Sequence, residues 1–201
     1  MAELNEDVFA AARQRGRTLL TEELVALIER HHPHDRPGIE RDIVTRYADG
    51  LDTDERSSSS SRDGDPDDDG TSFDFDRDAF LDEVDARLAD TETWQGTDAL
   101  YAPEDDRVSR YPARWHDALG GSTDVREFVV FLLEETDGYL DDLESGGAGR
   151  GIPEDELLDV VSVVGRTDRE TAKARVESGR KAGDLVEDAD QHPEARVRPR
   201  E

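Results

Sequence analysis

Apolar residues recur at helical spacing over most of this chain, and the stretches where they stop mark its divisions. Residues 5–15 and 21–31 read as short amphipathic helices. Leu24, Val25, Leu27 and Ile28 form the apolar stripe of the second. Thr21 is placed to cap it, with Glu22 and Glu23 against the positive end of its dipole. Pro33 and Pro37 break the chain, and Ile39–Ala48 predicts a third helix with Ile39, Ile43, Val44 and Tyr47 on one face. These three helices fit either a second helix-turn-helix or a small bundle. Residues 52–72 carry no aliphatic or aromatic side chain and are read as an acidic, Ser- and Asp-rich flexible linker. Phe80, Leu81, Val84 and Leu88 then mark a helix over 77–90. Four aromatics follow, Trp94, Tyr101, Tyr111 and Trp115, and Pro112 opens a short helix ending at Gly120 and Gly121.

The C-terminal third is the most regular. A long helix is expected from Thr123 to Leu143, with Gly138 as a point of kinking or shortening. Ile152 suits a short strand. Pro153 suits the first turn of the next helix, and Glu154, Asp155 and Glu156 its positive end. Leu157, Leu158, Val160, Val161 and Val164 give that helix a core. Thr167 and Glu170 make a capping-box pattern for a helix running to Ala182, closed by Gly183. Leu185–Val186 and Ala195–Arg198 read as two strands of a hairpin. Helix, strand, helix, helix, strand, strand is the winged-helix order. The expected fold is therefore mainly α, with a helical segment at 1–50, a linker at 51–72, an aromatic-rich helical segment at 73–122 packing on the C-terminal domain, and a winged helix-turn-helix with a small β-hairpin wing at 123–201.

The stretch IPEDELLDVVSVVGRTDRETAKARVESGRKAGDLVE resembles the winged helix at the C-terminus of archaeal minichromosome-maintenance helicases, and is similar to winged helices of archaeal regulators. The likeness lies in the Pro-and-acid opening, a Gly-x-Asp-like turn, and Arg-Lys-x-Gly-Asp before the wing. It implies a fold, and no helicase ATPase motif accompanies it.

Charge sharpens this division. The net charge is −27, and only Lys173 and Lys181 are Lys. Such a composition resembles haloarchaeal cytoplasmic proteins. At molar salt the Debye length is about 3 Å, so acidic self-repulsion costs little. The acidity is uneven: net −3 over 1–50, −21 over 51–144, and −3 over 145–201. The absence of Cys excludes disulfides and thiolate chemistry. No apolar run approaches a membrane span and no signal-like leader opens the chain, so a cytoplasmic protein is expected.

On the last helix, Arg169, Lys173 and Arg180 fall within about 40° of one another at 100° per residue, with Arg166 at its start. Arg196 and Arg198 lie on the wing. These six residues are the expected DNA contacts, recognition-helix side chains for the groove and wing side chains for phosphate. DNA binding, as in a transcriptional regulator, is the leading expectation. The alternative is a protein-interaction adaptor using the winged helix and the aromatic segment. Asp65, Asp67, Asp69 and Asp76 only imitate a calcium loop, His31, His32 and His34 suit a polar helix end, and GGAGRG lacks the Lys and Ser/Thr of a phosphate loop. No motif marks a nucleophile or an acid–base pair. No enzyme, metal or cofactor is expected.

Overall fold

Two clusters of buried apolar side chains organise the chain, and the segments that meet in each are far apart in sequence. The computed structural model describes residues 4–32, 34–59, 75–143, 151–187 and 196–200. Over these residues the protein is mainly helical, with a few small sheets.

The first core gathers α1 (Glu6–Arg15), α2 (Thr21–His31), β1 (Ile39–Glu40), α3 (Arg41–Ser59) and α4 (Arg77–Arg87). Asn5 caps α1 by accepting from the Asp7 N–H at 2.8 Å, and its own N–H donates to the Tyr47 hydroxyl, also at 2.8 Å. Thr21 is the first residue of α2 rather than its cap. Its hydroxyl donates to Glu83 Oε2 on α4 at 2.8 Å, which ties the two helices together. Val8, Leu24, Val25, Ile28, Val44 and Tyr47 are at most 1% exposed here.

Helix α3 continues to Ser59, so the first eight residues of the expected linker are helical. Leu51 is buried and anchors this extension, and Thr53 donates back to the Asp49 carbonyl at 2.7 Å. One anchored stripe is enough to hold a helix. The calcium-like Asp65, Asp67 and Asp69 and residues 146–150 of the GGAGRG segment lie outside the described residues, as does most of the expected linker.

Three short strands follow α4: β2 (Leu88–Ala89), β3 (Leu100–Tyr101) and β4 (Arg107–Val108). Strand β1 pairs antiparallel with β4, Ile39 opposite Val108. Tyr101 and Ser109 exchange backbone hydrogen bonds at 2.9 and 2.8 Å, which sets β3 against the other side of the same segment. The lateral order is thus β1, β4, β3. Strand β2 pairs in parallel with β3.

The second core gathers α5 (Ala113–Leu119), α6 (Val125–Glu134), α7 (Tyr139–Leu143), β5 (Ile152–Pro153), α8 (Glu154–Val163), α9 (Arg169–Ala182), β6 (Leu185–Glu187) and β7 (Arg196–Pro199). The expected long helix is two helices. The first stops at Glu134, Thr136 donates to the Leu132 carbonyl at 2.7 Å, and Gly138 turns the chain at φ 80° before Tyr139 enters the core. Pro153 stands at the cap of α8 rather than inside its first turn. Asp168, one residue after the expected Thr167, caps α9 by accepting from the Thr171 N–H at 2.8 Å. Gly183 closes α9 at φ 85°, its N–H reaching the carbonyls of Gly179 and Arg180. Strands β5, β7 and β6 form an antiparallel sheet in that order.

Residues 75–119 divide between the two cores. Phe80, Val84, Leu100 and Val108 belong to the first; Trp94, Tyr101, Tyr111, Trp115 and Leu119 belong to the second. Helix α2 packs on α8, so the halves are in direct contact.

Candidate functional site

Helix α9 presents one outward stripe, made by Glu170, Lys173, Ala174, Glu177, Ser178 and Lys181, all exposed. Ala172 and Val176 lie on the opposite side, fully buried under α6 and α8. Both lysines of the chain are on the outward stripe, interleaved with two glutamates, and Lys181 lies 3.9 Å from Glu177. The stripe carries no net charge.

Two of the three arginines of α9, Arg169 and Arg180, turn sideways onto α8. Arg169 binds Asp155 at 2.8 Å and also engages Asp159. Arg180 binds Glu154 at 2.5 Å. The acids that open α8 suit its positive end, and on the same helix they form a carboxylate row that meets the arginines of α9. Arg166, in the left-handed region at φ 52°, donates to the Asp35 carbonyl of the other half. Arg196 is 5% exposed and donates to the carbonyls of Leu143 and Gly151 at 3.1 and 3.3 Å. Of the six expected DNA contacts, Lys173 faces solvent and Arg198 is half-buried, while Arg166, Arg169, Arg180 and Arg196 are engaged inside the fold. They do not converge on one open basic face.

Helix α4 exposes Asp78, Asp82, Glu83 and Asp85. The four aromatics considered as partner anchors are interior. Trp94 and Trp115 stack with centroids 5.5 Å apart, Tyr111 stacks on Trp115 at 5.2 Å, and the Arg110 guanidinium lies 5.1 Å over Trp94. Trp94 Nε1 donates to Asp142 at 2.6 Å. Burial raises the Tyr111 and Tyr139 hydroxyls well above their ordinary pKa. No family model, curated protein or solved structure matches this chain. Its function has to be argued from these residues.

The histidines are absorbed locally. His32 Nδ1 meets the Tyr47 hydroxyl at 3.2 Å, and His34 Nδ1 meets the His32 carbonyl at 2.8 Å. Among the described residues no three metal-ligating side chains come together, and no helix is long and apolar enough to cross a membrane.

One polar constellation has no counterpart in the sequence reading. Glu29 of α2, Ser109 after β4 and His116 of α5 meet where the two halves join. Ser109 Oγ is 3.0 Å from Glu29 Oε2 and 2.8 Å from His116 Nε2, and His116 Nε2 is 3.8 Å from Glu29 Oε1. The composition is that of a hydrolytic triad, but the wiring is not. Both partners meet the same imidazole nitrogen, and the residues are 0–3% exposed, so substrate has no approach. Sequence spacing gave no signal, because the three lie 80 and 7 residues apart on elements joined only by folding.

Proposed function

We propose that this chain is a tandem winged-helix protein whose C-terminal unit docks a protein partner on the outward stripe of α9. The winged-helix reading rests on strand order. In the second half α6, the short α7, β5, α8, α9, β6 and β7 follow one another, and the first strand pairs with the last, which pairs with the middle one. The first half has a like order, α2, β1, α3, α4, β3 and β4, with an extra strand β2 between α4 and β3, and the lateral order β1, β4, β3.

One observation carries the choice of partner. Arg169 and Arg180, the two arginines expected to make α9 a basic recognition helix, are paired with carboxylates of α8, and the stripe left outside alternates Lys and Glu around Ala174 and Ser178. Phosphate binding draws on net positive charge and weakens steeply with salt. A charge-balanced stripe with small residues at its centre suits close packing against a partner surface of complementary charge order, which fixes register more than affinity. On a chain of net −27, a face without acidic excess is itself a departure.

Direct DNA contact is the second reading, favoured by Lys173 and Lys181 on the stripe with Arg198 on β7 and Arg200 just beyond it. Fluorescence anisotropy of a labelled random-sequence duplex, titrated with full-length protein across potassium chloride concentrations that keep it folded, separates the two. The docking reading expects no saturable binding. Saturable binding that is lost in a Lys173→Glu/Lys181→Glu variant would replace it with the DNA reading.

A further inference from the structure

The Glu29–Ser109–His116 cluster joins α2 to the segment between β4 and α5, 80 residues further along the chain. Glu29 Oε2 lies 3.0 Å from Ser109 Oγ and accepts from the Arg110 N–H at 3.2 Å. Ser109 Oγ also accepts from the Tyr111 N–H at 3.0 Å and contacts His116 Nε2 at 2.8 Å. Ser109 has one hydroxyl proton for two neighbours. If it donates to His116, the Glu29 carboxyl must be protonated and donate to Ser109. If it donates to a Glu29 carboxylate, His116 Nε2 must carry a proton to donate to Ser109, as the neutral Nε2–H tautomer or as an imidazolium; with the neutral tautomer the hydrogen bonds are kept but one buried negative charge is left unbalanced. A neutral carboxyl with a neutral imidazole and a carboxylate with an imidazolium hold the same number of protons and the same zero net charge.

We propose that these residues form a one-proton latch between the halves. The halves stay docked while the carboxyl–imidazole pair holds one titratable proton, and they loosen when it gains a second or loses the one. The cost on either side is an unpaired charge in a site closed to water. The charged groups around it are unevenly placed. Arg107 of β4 faces Glu29, whereas Arg166 from the α8–α9 turn and His34 from the segment after α2 face His116. Arg30, next to Glu29 on α2, is turned away onto Asp159 of α8 at 3.0 Å. The cations beside the imidazole oppose a second proton. Glu29 Oε1, His116 Nδ1 and His34 Nε2 are buried with no hydrogen-bond partner within normal geometry, and the nearest backbone groups are those of Gly38 beside Glu29 and Tyr111 beside His116.

Burial raises the Glu29 carboxyl from 4.5 to about 7, and burial with the Arg166 and His34 charges lowers His116 from 6.5 to about 3. The two contributions to stability therefore have opposite signs. A raised carboxyl stabilises below 4.5 and loses that contribution as pH rises through about 7. A depressed imidazole stabilises above 6.5 and loses that contribution as pH falls through about 3. Between 4.5 and 6.5 they offset: the folded pair keeps its proton on Glu29, and the unfolded pair keeps its proton on His116.

The test is denaturant unfolding of the full chain from pH 4.5 to 7 in molar potassium chloride, for wild type, Glu29→Gln and His116→Gln. The ratio of the Glu29→Gln unfolding constant to that of wild type should rise about tenfold per pH unit as pH falls through this range. The same ratio for His116→Gln should rise about tenfold per unit as pH rises from 4.5 to 6.5. Ratios independent of pH for both variants, or slopes of one sign, overturn the latch. Should a variant fail to fold, nitrogen NMR of the wild-type His116 ring decides. No free-histidine titration near pH 6.5, with a perturbation near pH 7 as Glu29 ionises, supports the latch, and an ordinary imidazole titration near 6.5 refutes it.

Discussion

Arg30 of α2 and Arg169 of α9 hold the same carboxylate oxygen, Oδ1 of Asp159. One acid on α8 thereby ties the first half of the chain to the helix that would read DNA. Arg30 has a side chain only 11% exposed, so its charge depends on that partner. Asp159→Asn should destabilise the protein by about 1.5–3 kcal/mol, at the low end because Asp159 and Arg169 are each about one-third exposed. In a double-mutant cycle with Arg30→Ala the two costs should fall short of adding, by about 0.5 kcal/mol or more. Strict additivity by denaturant unfolding would mean that the contact contributes nothing across the halves.

Phe128 and Leu132 of α6 are fully buried, in one cluster with Leu157, Val161 and Val176. Leu132→Ala should cost about 2–5 kcal/mol and Phe128→Ala about 3–5 kcal/mol. Stability within 0.5 kcal/mol of wild type for both, a threshold set at about the spread of surface substitutions, would displace α6 from the core.

The arginines that look alike in sequence should behave differently. Arg196 is buried, with its guanidinium on two backbone carbonyls, so Arg196→Ala leaves those acceptors unpaired and should cost about 1–3 kcal/mol. Lys173 is exposed, and Lys173→Ala should stay within about 0.5 kcal/mol of wild type. Thermal or denaturant unfolding in the same salt distinguishes them. Equal effects would mean that Arg196 is not enclosed as described.

Much of the fold was legible because periodicity reports which face is buried. The stripes of α2, α8 and α9, the strand at Ile152 and the two strands after Gly183 stand close to where the pattern placed them. Caps slipped by one residue at Thr21 and Thr167, since several neighbouring polar side chains can serve and tertiary partners choose among them: Glu83 draws the Thr21 hydroxyl away. The helix after Thr123 was drawn too long because Tyr139, Leu140 and Leu143 keep the same apolar spacing across a turn made by Gly138.

The candidate site was harder to read. A helical wheel shows that Arg169, Lys173 and Arg180 share a sector of α9, but it does not show that Asp155, Asp159 and Glu154 of α8 line one side of that sector. The fate of an arginine is set by the neighbouring helix. The same holds for Trp94 and Trp115, whose stacking needs α5 and α7 to close over them.

The most direct measurement places a photo-crosslinking side chain at Ala174, the centre of the outward stripe of α9, and a second at Ala79 on the acidic face of α4 as a control. Irradiation is carried out in cells of a high-salt host. The account predicts an adduct of discrete mass from position 174, sensitive to protease and resistant to nuclease, weakened by Glu177→Lys and absent from position 79. A nuclease-sensitive adduct at 174, or no adduct there while the protein is folded, would contradict protein docking on this face.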